Sequence, residues 1–158
     1  MLSQLIIITL FRGIPEAFIH MFGIYAFGRV KLDKKKYMLS SLILAMAMVG
    51  IRMLPISYGI HSILVIMTII AISIIINQFN IVYSITVVIF DMIIQFLAEG
   101  INMVLIEYVL KKNISEAMSN VVSKVVYGIP SLVIAFSVIY VISSVFKKRQ
   151  RNQRNTNG

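Results

Sequence analysis

Arg12, Glu16 and His20 recur every four residues, a spacing that puts all three on one face of a helix. Far along the chain, Asp91, Gln95, Glu99 and Asn102 follow one another at steps of four, four and three, which makes a second polar stripe. Arg52 and His61 flank a short stretch containing Pro55 and Gly59. These residue types admit several chemistries: neutralising one another, holding a charged ligand, ligating a metal, or acting as acid and base.

The spacing argues against catalysis. Asp91 and Glu99 are two helical turns apart, about 12 Å by helix rise, too far for a shared proton or for a pair of carboxylates flanking one bond. The chain has no His-Glu-x-x-His run and no serine placed with a histidine in a nucleophile motif. Its two histidines fall in different segments with no third compelling ligand, so neither a metal nor another cofactor is expected. With no cysteine, thiolate zinc sites, cysteine nucleophiles and disulfides are all excluded. Two readings stay open. The polar groups tie helices together by satisfying one another, or they line a binding site in which Arg12, Glu16, Arg52, His61 and Glu99 form an outer cluster and Asp91, Gln95 and Asn102 a buried stripe.

The medium decides how costly such groups are. Of 158 residues, 59% are hydrophobic, above the roughly 45–50% of soluble domains, and mean hydropathy is +0.91. Most charges gather at residues 29–36 and 147–154. The net charge of +9 reads as basic membrane flanks, because no folded polar module with stacking aromatics accompanies it to bind nucleic acid. The N-terminus has no positive n-region, so a cleaved signal peptide is not expected.

A hydrocarbon core of ~30 Å needs about 20 apolar residues per helix. Five segments qualify: 5–27, 37–53, 60–76, 81–98 or beyond, and 129–146. They run unbroken and do not alternate as barrel strands do. The expected fold is therefore all-α: a polytopic transmembrane bundle of about five spans filling residues 1–147, followed by a basic tail, 148–158, expected to be disordered. Residues 80–110 as one helix would reach ~46 Å, and Gly100 is a candidate break. Residues 114–127 put Ile114, Ala117, Met118, Val121, Val122 and Val125 at helical spacing opposite Ser115, Glu116 and Lys124, which predicts an interfacial amphipathic helix ended by Gly128 and Pro130.

Cations set the expected orientation. Arg29, Lys31, Lys34, Lys35 and Lys36 follow the first span, and Lys147, Lys148, Arg149, Arg151 and Arg154 follow the fifth; Lys111, Lys112 and Lys124 would lie on the other side. Short-loop cations favour the cytoplasmic face, so the N-terminus is expected outside and the C-terminus in the cytoplasm of a bacterial cell. Arg52 then ends span two at the outer surface and His61 opens span three there. Asp91 sits nearer mid-membrane, where pairing with Arg12 or protonation would relieve its desolvation.

Two stretches, GIPEAF at 13–18 and IRMLPISYGIHSIL at 51–64, resemble the membrane-spanning sensor regions of clostridial-type histidine kinases of the GHKL ATPase superfamily, the class that includes peptide quorum receptors. The resemblance spans most of residues 5–147. It implies a module that senses an extracellular or membrane signal and passes it to a cytoplasmic kinase. After Phe146 the sequence holds neither a phosphoacceptor helix nor nucleotide boxes, so the expectation is a sensor-like binding module without its own catalytic output. Its expected partners are the lipid bilayer and a sensor kinase or a second copy of itself. A substrate-binding subunit of a small-molecule transporter, or a purely structural membrane protein, is the alternative.

Overall fold

The computed structural model describes residues 9–55, 58–109 and 121–156. Among them are five α-helices and no strand: α1 (Ile14–Gly28), α2 (Lys34–Met53), α3 (Tyr58–Ile75), α4 (Ile81–Val104) and α5 (Val121–Thr156). A π-helical turn, Thr9–Gly13, leads into α1, and another, Leu105–Val109, continues α4. The all-α bundle matches the expected fold class.

Local signals explain most boundaries. Pro15 stands in the first turn of α1, directly after the π turn, and its missing N–H goes with that change of winding. Arg29, in left-handed conformation at φ 54°, stops that helix. Asp33 caps α2, its side chain accepting from Lys35 N at 3.0 Å and Lys36 N at 3.4 Å. Pro55 follows the other end of α2, which stops at Met53. Asn80 caps α4 by accepting from Val82 N at 3.0 Å.

Among the described residues, length and hydropathy suffice for membrane crossing in three stretches: Lys34–Met53, Ile81–Val109 and Val125–Phe146. The Gly59–Ile75 part of α3 is apolar but shorter, and α1 has 15 residues. Burial runs opposite to that of a protein in water. Met46 is 76% exposed, Ile75 75% and Val82 70%, while Ser40, Ser41, Ser73 and Asp91 are fully enclosed. Water would penalise such an outer face heavily; hydrocarbon does not.

At the centre lies α1, packed against α2, α4 and α5, while α3 closes the ring between α2 and α4. Met21 and Ile24 of α1 meet Leu44 and Met48 of α2, Ile69 of α3 and Val88 of α4 in the core. The Arg29 guanidinium lies 4.6 Å from the centre of the Phe146 ring, so the loop after α1 and the C-terminal half of α5 share one end of the bundle, and both basic runs start there.

Several sequence expectations need correction. The first segment is not one regular helix from residue 5: the described chain enters through the π turn before Ile14, and residues 5–8 lie outside the described residues. Gly100 breaks nothing; α4 runs through it, and the pitch changes only at Leu105. The interfacial helix at 114–127 lies partly outside the described residues, and its remainder, from Val121, is continuous with α5. Gly128 and Pro130 therefore do not end a helix. Side chains also bond two carbonyls just before the proline: Asn102 Nδ2 donates to Tyr127 O and Ser131 Oγ to Gly128 O, each at 2.7 Å. The tail expected to be disordered continues α5 as helix to Thr156; it holds no Gly or Pro before that point, and its cations suit a helix C-terminus.

Candidate functional site

The polar residues of α1 and α4 face each other because the two helices run antiparallel with matched spacing. Arg12 Nη2 donates to Glu99 Oε1 at 3.3 Å. Eight residues further along α1 and eight back along α4, His20 Nδ1 lies 2.6 Å from Asp91 Oδ2. Glu16 and Gln95 fall at the level between. Further on in the same register, Gly28 lies against Tyr83: a Cβ there would come within 2.7 Å of the ring carbon Cζ.

At the end opposite the basic runs, four charges form one network. Arg52 Nη2, at the end of α2, donates to Glu16 Oε2 at 2.6 Å, and Arg12 Nε approaches the same oxygen at 3.9 Å. The side chains grade from Glu16, 14% exposed, through Arg12 at 21% and Arg52 at 32%, to Glu99 at 41%. Two cations balance two carboxylates, so the cluster is neutral as a whole and opens toward the helix ends. Arg12 also lies against α5, where Gly128 admits it; a Cβ on that glycine would stand 2.8 Å from Nη1. One arginine thus touches the beginning of α5 while pairing with α4 and, within α1, with Glu16.

His20 and Asp91 are deeper, 3% and 0% exposed. Gly23 makes room for the carboxylate, since a Cβ there would collide with Asp91 Oδ1. That oxygen is buried and makes no hydrogen bond, and the same holds for Gln95 Nε2 and Asn102 Oδ1 along the same stripe.

Arg12, Glu16, Arg52 and Glu99 are therefore brought together. His61 stands half-buried near the start of α3, which packs between the helices carrying Arg52 and Glu99. Asp91, Gln95 and Asn102 point inward as a stripe, all buried. The expected pairing of Asp91 with Arg12 is corrected: Asp91 takes His20, and Arg12 takes Glu99 and Glu16. The equal eight-residue steps from Arg12 to His20 and from Asp91 to Glu99 carried that information. A further polar contact at the basic end, Tyr25 OH donating to Asn77 Oδ1 at 2.7 Å, had no comparable signal, because tyrosine and asparagine are ordinary at membrane interfaces.

Among the described residues no three His, Cys, Asp or Glu side chains converge as metal ligands. An apolar groove of about 490 Å³, lined by Phe96, Leu97, Gly100 and Val104, lies on the outward face of α4 rather than at the charged network; its lining suits acyl chains. Compared with known proteins, the chain matches no family model, no curated sequence and no solved structure.

Proposed function

We propose that this chain is a five-span membrane sensor module that binds a charged ligand at the Arg12–Glu16–Arg52–Glu99 network and transmits occupancy to a membrane partner such as a sensor kinase. The observation that carries this reading is the network itself. It joins α1 and the π turn before it to α2 and α4 through ion pairs that are only partly enclosed, in a bundle whose remaining outer face is apolar. The pairs open toward the helix ends, so a ligand carrying its own carboxylate and ammonium groups would replace their partners charge for charge. Such an exchange releases the helices from one another, and helix displacement is the form in which a polytopic sensor passes a signal.

In this reading the network faces outward and the two basic runs face the cytoplasm of a bacterial cell membrane, where each nearby cation adds about 1 kcal/mol of attraction to anionic lipid. The protein supplies recognition and no catalytic step of its own. Support comes from the grouping of the cations at one end and from the resemblance of GIPEAF and IRMLPISYGIHSIL to kinase sensor regions.

The test is affinity capture of the tagged, full-length chain from crosslinked native membranes, with Glu16→Gln, Arg52→Gln and Glu99→Gln measured beside it. A histidine kinase is expected among the captured proteins, with recovery lowered about tenfold, equivalent to ~1.4 kcal/mol, in at least one variant that inserts normally. Transport ATPase subunits in its place, or recovery unchanged in all three variants, would contradict the proposal.

A further inference from the structure

His20 and Asp91 are the most deeply enclosed pair of titratable side chains among the described residues, and no lysine or arginine touches either one. The 2.6 Å contact leaves open which of the two atoms carries the proton between them. Beside it are two polar atoms that a purely structural tie would not leave idle. Asp91 Oδ1 accepts nothing, and Gln95 Nε2, one turn along the same face toward the Arg12 end, donates to nothing. Both residues are more than nine-tenths buried. An acceptor and a donor so placed, in a polar stripe between two helices, are suited to a bridging water.

Charge counting gives the pair a function. With neutral imidazole and ionised carboxylate it carries one net negative charge in a setting that solvates charge poorly; with one more proton, on either partner, it is neutral. Other charged or titratable groups on the surrounding elements include Arg12 in the π turn before α1, Glu16 on α1, Arg52 on α2, His61 on α3, Glu99 on α4 and Tyr127 and Tyr140 on α5, while Tyr25, Tyr37 and Tyr83 belong to the helices toward the basic end. α5 presents Ile139 to the pair, with its Cδ1 near Gly23. Among the described residues, no lysine or arginine of α5 forms an ion pair with the carboxylate.

We propose that His20 and Asp91 form a proton-binding site in the middle of the bundle, loaded with a single proton from the Arg12–Glu99 end by way of Gln95. The proton comes from bulk water and returns to it; only N–H and O–H bonds form and break. A small metal cation is a poorer occupant, since it would have to displace the imidazole and would find few oxygens around Asp91. The inference rests on the geometry of the pair and needs no ligand at the charged network, so the two proposals fail separately.

The test uses the full-length protein in lipid nanodiscs with ¹⁵N-labelled histidine. There are only two histidines, and His61→Gln leaves His20 as the sole signal; should that variant not insert, the wild type with both signals serves, because Asp91→Asn marks which belongs to His20. Between about pH 5 and 9 the His20 ring nitrogens are expected to pass between two limiting shifts, with the midpoint displaced by at least about one pH unit in Asp91→Asn. Exchange of the ring N–H with deuterated water is expected to slow about tenfold in Gln95→Leu. Ring shifts that stay constant over the range, or that titrate identically in Asp91→Asn, would overturn the site. Unaltered exchange in Gln95→Leu would overturn the route, and sodium-dependent shifts at constant pH would replace the proton with a cation.

Discussion

Replacing His20 with leucine is expected to destabilise the bundle by about 3–5 kcal/mol, while a His20→Leu, Asp91→Val double variant recovers most of that loss. The single change leaves Asp91, fully enclosed, with no side-chain partner on either oxygen, since Oδ2 has His20 as its partner and Oδ1 has none from the protein. An uncompensated buried carboxylate must either stay charged in a poorly polarisable setting or take up a proton and still lack acceptors and donors. Removing both groups removes the problem and substitutes apolar packing. Equilibrium unfolding in mixed micelles measures both variants. A loss under about 1 kcal/mol for His20→Leu would mean that the imidazole is not what compensates the buried carboxylate.

The second large effect belongs to Gly23. A side chain there would collide with Asp91 Oδ1, stand 3.1 Å from Asp91 Cγ and lie 3.3 Å from Ile139 Cδ1, so α4 and α5 leave it no free side. Gly23→Val is expected to cost about 3 kcal/mol or more through overpacking and loss of the His20–Asp91 geometry. Gly23→Ala should cost less, because better helix propensity returns up to about 1 kcal/mol. Gly50→Ala and Gly100→Ala are built-in controls. A Cβ at either would meet nothing within 4 Å beyond its own helix backbone, so both are expected to leave stability equal or raise it by up to ~1 kcal/mol. The same unfolding assay ranks the four variants, and a Gly23→Val protein as stable as Gly100→Ala would show that α1 and α4 do not pack as closely as described.

The sequence shows its architecture where the physics is one-dimensional. Apolar runs long enough for hydrocarbon and polar residues at helical spacing can be counted along the chain, and so can clustered cations. From those, the helical class and the convergence of Arg12, Glu16, Arg52 and Glu99 at one end are readable. What was not readable depends on how helices meet. Asp91 pairs with His20 because α1 and α4 settle in a register set by Gly23 and Gly28; the equal eight-residue steps name the two pairs only once the helices are known to be antiparallel neighbours, and nothing along either stretch alone ranks His20 above Arg12. Pro130 reads as a helix stop, yet α5 runs through it, and Asn102 from α4 bonds the Tyr127 carbonyl one turn earlier, a contact between helices that no local rule contains. Gly100 reads as a break for the same reason: a glycine costs a helix in water, but hydrocarbon leaves the backbone no other way to satisfy its hydrogen bonds.

The most direct test of the account is the side of the membrane on which each end of the bundle lies. The chain has no cysteine, so Met53→Cys, Lys35→Cys and Lys148→Cys each introduce a single thiol at an exposed position. In intact cells an impermeant maleimide is expected to label Met53→Cys, beside the charged network, and to reach Lys35→Cys and Lys148→Cys only after the cells are opened, while the protein stays in the pellet through a carbonate wash. Labelling of Lys35→Cys or Lys148→Cys from outside, or release of the chain by carbonate, would contradict it.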